Sequence, residues 1–249
     1  MPLEVNIMKT SLFLVIVLLS GAIAGAVHGG VNLALVEPYL DTAIGIENQN
    51  LFASGDEEGT PEFWIEYDGY RTWQKGGQVL AGVILGISIG SLFGIVFALS
   101  KQSLPGSNNV KKALILAGIM WLTIYFIPFL KYPANPPTVG DTETVVLRGI
   151  LYLSFIAISG FGAVGFYKLS KKFERKAKLV SIIGYTAFIT AIFFVMPDNP
   201  DEISVSMNLV EGFRTASVLG VSSFWIVVAM MLGLLWDKLK PEKEITNSR

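Results

Sequence analysis

The sequence predicts an all-α, polytopic integral membrane protein with about six transmembrane helices arranged as three hairpins. Three observations carry this. Of 249 residues, 52% are hydrophobic and only 16% charged, with a mean hydropathy of +0.55, outside the balance of a soluble domain. Six stretches lack Asp, Glu, Lys and Arg over lengths near the roughly 20 helical residues that cross a hydrocarbon core. Acids and cations segregate into alternating connectors, as topology signals do.

The first stretch, Ser11–Leu35, follows Lys9 and leaves through "HGGVNLALVEPYLDTAI". With the small residues of "GAIAGA" it has some features of a secretory signal. Its 25 uncharged residues exceed a signal core, so it is expected to remain as a span; cleavage of residues 1–26 would leave five spans and move no loop. The second, Gly76–Ser100, carries Gly82, Gly86, Gly90 and Gly94 on one helical face. Such a face lets helices approach closely in lipid or, alternatively, lines a path with bare backbone. Ala113–Leu130, Gly149–Tyr167, Leu179–Met196 and Thr215–Trp236 complete the set. "GFGAVG" at Gly160–Gly165 lies inside an apolar span rather than after a strand, so it is read as helix packing. Several of Trp121, Tyr125, Tyr132, Tyr152, Trp225 and Trp236 fall near segment ends, where aromatic rings favour the membrane interface.

Charge sets the expected orientation. Ser100–Lys112 holds Lys101, Lys111 and Lys112 and no acid; Lys168–Lys178 holds six cations against Glu174. These connectors and the tail 237–249 are expected in the cytoplasm. Residues 36–75 hold nine acids against Arg71 and Lys75, and this acidic loop is expected outside with the two Pro-rich connectors. The whole chain, 1–249, is expected to form one transmembrane domain.

The outer connectors echo one another. P-x-N-P occurs at Pro133–Pro136 and at Pro197–Pro200, each followed by acids and by an arginine at the returning helix, Arg148 or Arg214. A looser version runs from Glu37-Pro38 to Arg71. Proline fixes φ and withholds an N–H, so these segments are expected to meet as a polar vestibule above His28, with the arginines bracing nearby carboxylates.

His28 is the single histidine, inside the first span. An ionisable group at that depth is costly and faces protein or water. It is either one helix-to-helix hydrogen bond or a ligand or relay site, with Asn32 one turn along on the same face. Glu37 is nine residues further, about 13.5 Å by helix rise, too far to share one ion. Asp41, Asp141 and Asp198 add oxygen donors on the expected outer side. The candidate metal-contacting residues are therefore His28, Glu37, Asp41, Asp141 and Asp198. Asn32, Arg71, Asn135, Arg148, Asn199 and Arg214 are candidates for structural or gating roles. Carboxylates suit hard divalent ions, and imidazole extends the range toward nickel, cobalt and zinc. The alternative for the acids is a solvated surface.

Other classes are disfavoured. Without cysteine there are no disulfides or thiolate sites. A net charge of -1 and no basic patch argue against nucleic acid. No nucleophile, metalloprotease or nucleotide-loop motif occurs, so an enzyme is not expected and no resident cofactor is called for.

"FLKYPANPPTVGDTET", "HGGVNLALVEPYLDTAI" and "LVEGFRTASVLG" resemble the CbtA family of membrane proteins, proposed cobalt transporter subunits. The resemblance covers most of the chain and implies divalent cobalt uptake beside a small partner, CbtB, bearing a histidine-rich metal-binding motif. Histidines that some relatives place in the first outer loop are absent here; Phe63, Trp64, Tyr67, Tyr70 and Trp73 lie in that segment instead. The alternative is a non-transporting structural or assembly subunit that uses its glycine faces to pack against a larger membrane complex.

Overall fold

The computed structural model describes residues 7–171 and 175–243, with side chains for 8–171 and 179–242. Its helices follow the apolar runs but overshoot them. Helix α1 is Thr10–Leu35. After a one-residue turn at Val36, α2, Glu37–Ser54, starts with Glu37 in its first turn and Pro38 beside it, where a missing N–H costs nothing. Gly55 stops α2 at φ 81°, a left-handed conformation that glycine adopts without strain. Helix α3, Pro61–Ser100, opens with the Thr60 hydroxyl accepting the Phe63 N–H at 3.2 Å and with Pro61 in the first turn. Residues 36–75, expected as a loop, are thus largely helical. Charge excludes a segment from hydrocarbon but does not end a helix, whereas a cap, a proline and a glycine set its ends. At 40 residues, or about 60 Å, α3 is twice as long as a membrane crossing requires.

The third span is α4, Asn109–Met120, a π-helical turn Trp121–Phe126, and α5, Ile127–Lys131. In the wide turn the Ile127 N–H bonds Leu122 O, five residues back. Pro128 explains it: its ring would strike the carbonyl four residues earlier, and a widened turn relieves that contact. A short 3-10 turn, Thr142–Thr144, leads into α6, Val145–Ser170; α7 is Arg175–Val195 and α8 is Met207–Leu239. Among the described residues five helices are long and apolar enough to cross a membrane. The expected fifth span is the exception, with an apolar part, Leu179–Val195, of only about 25 Å.

The described residues fall into two compact units. One draws on Met1–Pro38, Gly55–Gly118 and Leu219–Arg249. Its centre is the α1–α3 pair, where Gly21, Gly25 and Gly29 meet Gly82, Gly86 and Gly90 backbone to backbone. Phe93, Phe97, Ile16, Val228 and Leu232 are fully buried around it, and Trp236 stands edge-on to Phe97 and Phe13 at 5.1 and 6.0 Å. The Lys9 N–H bonds Pro241 O at 2.7 Å beside a two-residue antiparallel pairing of Ile7–Met8 with Glu242–Lys243. The other unit draws on Tyr39–Ser54 and Ile119–Val218. Tyr132, Leu151, Phe155 and Ile189 form its apolar centre, and Ser159 and Tyr185 share a hydrogen bond at 2.9 Å. Large apolar side chains stay exposed along the spans, Leu99 at 83% and Phe161 at 79%, as a lipid-facing surface demands.

Candidate functional site

His28 is held at both ring nitrogens. Nδ1 lies 2.8 Å from Gly220 O on α8; since a carbonyl only accepts, Nδ1 carries the proton. Neutral imidazole then presents the Nε2 lone pair, which accepts from Asn32 Nδ2 at 3.2 Å. Ser223 Oγ donates to the same Gly220 oxygen at 2.6 Å. The Phe224 ring stands 6.2 Å away, edge-on to the imidazole. A Cβ at Gly220 would press on Asn32 Oδ1 and force the Asn32 side chain to move. His28 and Asn32 therefore come together as their spacing predicted, and Gly220 is the partner that sequence reasoning missed. Its signal was the small-residue run "GVSS" within an apolar helix.

Glu37 and Arg71 meet as a buried ion pair, 6% and 8% exposed, with Arg71 also donating to Gln74 Oε1 at 2.7 Å. The looser third echo is thus real as a pairing. It commits the Glu37 carboxylate to a guanidinium rather than leaving it open.

The two P-x-N-P segments lie together in the second unit. Tyr132 donates its hydroxyl to Pro197 O at 2.6 Å, and Lys131 pairs with Asp198, whose side chain is 93% exposed. Burial first, then the Asp198 charge, push the Tyr132 phenol above its ordinary pKa, which keeps it a donor. Arg148 Nε reaches Asp201 Oδ2 at 2.8 Å, and its other end donates to Asp141 O at 3.0 Å. Asp201 also accepts from Thr144 Oγ1 at 2.6 Å. Asp141 caps the 3-10 turn, its carboxylate accepting from Glu143 N at 3.0 Å. Arg214 departs from the expected acid brace: it donates to Asn135 Oδ1 at 2.7 Å and Ala134 O at 3.4 Å. Asn199 Oδ1 accepts the Asp201 N–H at 3.1 Å. The connectors enclose a pocket of about 240 Å³ bordered by Asn135, Arg148, Tyr152 and Asn199.

Asp41 sits half-buried in α2. His28, Asn32, Glu37 and Arg71 belong to the first unit; Asp41, Asp141, Asp198 and the two P-x-N-P segments belong to the second. Among the described residues no three His, Asp or Glu side chains gather as a metal-binding group. Glu174 lies outside the described residues.

Long apolar helices with lipid-suited surfaces define a multi-pass α-helical membrane protein. The chain belongs to the CbtA family, whose model, described as "Probable cobalt transporter subunit (CbtA)", matches residues 10–237. No curated protein and no solved structure matches it.

Proposed function

We propose that this protein is the membrane-embedded subunit through which a divalent cation, cobalt, enters the cell. The carrying observation is His28, half-buried in the first span with Nδ1 tied to a backbone carbonyl. That tie orients an imidazole and leaves Nε2 as the atom that meets a metal, as in many histidine metal sites. Turning the Asn32 amide would present its oxygen alongside. Two ligands make a weak station, and weak binding suits an ion in transit, which must leave as readily as it arrives. In this reading the acidic residues of 36–75 lie outside, concentrating cations, and the basic loops and the tail 237–249 lie inside. The sequence carries no nucleotide-binding loop, so energy comes from the ion gradient or from a partner. A small CbtB-like metal-binding subunit is the natural partner for capture. An assembly subunit would need its glycine face free for other proteins, and the face on α3 is taken by α1.

Purified protein in liposomes, offered cobalt, nickel, zinc, magnesium and manganese with and without the partner, provides the test. Cobalt accumulation above empty liposomes is expected, and His28→Ala should lower it roughly tenfold, the effect of losing a metal's principal ligand. No accumulation of any ion with the partner present, or equal uptake by His28→Ala, would overturn the proposal.

A further inference from the structure

The polar side chains that border the pocket between the two P-x-N-P connectors, Asn135, Arg148, Tyr152 and Asn199, all carry hydrogen-bond donors and include no carboxylate. Asn135 and Asn199 each turn their amide oxygen to a group that can only donate, the Arg214 guanidinium at 2.7 Å and the Asp201 backbone N–H at 3.1 Å. Those partners fix both amide orientations and leave both NH2 groups unspent, with no acceptor among the described residues. Arg148 donates one terminal nitrogen to Asp141 O at 3.0 Å and sets its Nε 2.8 Å from Asp201 Oδ2, an ion pair that holds the guanidinium charge beside the pocket. The carboxylate nearest these groups does not compete. Asp201 is 1% exposed at its side chain, with Oδ1 accepting from Thr144 Oγ1 and Oδ2 paired in charge with Arg148, while Asp198 points outward, 93% exposed, on Lys131. The Tyr132 hydroxyl is itself spent as a donor to Pro197 O. Arg214 does more than orient Asn135: a cation on the amide oxygen draws electron density from the nitrogen and strengthens its N–H groups as donors.

No carboxylate borders the pocket to attract a cation. An oxygen carrying negative charge finds several N–H groups, with the Tyr152 hydroxyl on the rim. The volume of about 240 Å³ is several times the roughly 30 Å³ share of one water, enough for a carboxylate or phosphate group. We infer that the pocket bordered by Asn135, Arg148 and Asn199 binds a small oxyanion, a phosphate or carboxylate group supplied free in solution or on a phospholipid headgroup at the membrane edge. This site lies apart from the cation reading at His28 and gives the repeated P-x-N-P motif a ligand of its own: each repeat contributes one asparagine amide.

Asn135→Asp and Asn199→Asp test it cleanly. Each substitution keeps the oxygen that accepts from Arg214 or from Asp201 N–H, and replaces the donating NH2 with a negatively charged oxygen. Full-length protein in detergent would be melted against inorganic phosphate and acetate, with chloride at matched ionic strength as reference. The same protein, extracted from phosphatidylcholine vesicles with or without phosphatidic acid, would be weighed by native mass spectrometry for retained lipid. A saturable rise in melting temperature with phosphate or acetate, shifted roughly tenfold or more in concentration by either variant as a charge-assisted contact turns repulsive, identifies a free anion. No rise, but phosphatidic acid retained by the wild type and lost from both variants, identifies the headgroup. Neither response, or the same response in wild type and variants, overturns the inference. No readout here involves cation transport, so failure of this site and failure of the transport reading are separable.

Discussion

Gly25→Val is expected to cost the protein its first helix pair, reading out as loss of the monodisperse peak and a collapse of the melting temperature in detergent. The reason lies in what surrounds the glycines. A Cβ on Gly82 would stand 2.7 Å from Gly25 O, one on Gly86 2.6 Å from Gly25 Cα, and one on Gly90 2.6 Å from Gly21 Cα. These obstacles are backbone atoms and cannot rotate aside. Overpacking against movable side chains costs about 1–3 kcal/mol; here α1 and α3 must part along their length and forfeit the dispersion contacts that hold helices together in lipid. Gly30→Ala is the matched control, because a Cβ at Gly30 meets nothing within 4 Å. It should be neutral or stabilising by up to about 1 kcal/mol, the helix propensity gained. Equal melting of the two variants would mean that the glycine face does not hold the pair.

Breaking the Glu37–Arg71 pair from one side is the second large effect. Both residues are more than nine-tenths buried, so Arg71→Met strands the Glu37 carboxylate in a poorly solvated place, at about 3–5 kcal/mol, and Glu37→Gln removes the buried carboxylate that Arg71 faces. The double variant removes both charges and should recover much of that loss, melting above either single variant. A double variant as unstable as the sum of the two singles would show that the residues act independently. The cycle also bears on transport: if Glu37 serves the cation, the double variant regains stability without regaining uptake.

How much of this was legible beforehand can be judged from particular residues. The spans were legible, because the absence of charge over some twenty residues is a solvation requirement visible in one dimension. So were the Gly82–Gly94 face and the His28–Asn32 pair, since i and i+4 meet on any helix. The helices within residues 36–75 were not legible, because charge marks where a membrane crossing ends and not where a helix ends. The π-helical turn before Pro128 was not anticipated, although the proline that causes it stood in plain view.

By itself the sequence determined the class of protein, the rough position of the apolar helices, and the membership of its motifs in one family, all consequences of composition and local spacing. Tertiary structure alone decided which partner each polar group takes. His28 could have paired with any helix and takes Gly220 O, 192 residues away; Glu37 takes Arg71 rather than remaining open; Arg214 takes an asparagine where a carboxylate was expected. Gly21, Gly25 and Gly29 gained meaning only when α3 came to lie against them. Local periodicity says which side of a helix is small or polar, but the identity of the facing atom depends on how distant segments pack, and a buried polar group accepts the donor or acceptor that packing brings within about 3 Å.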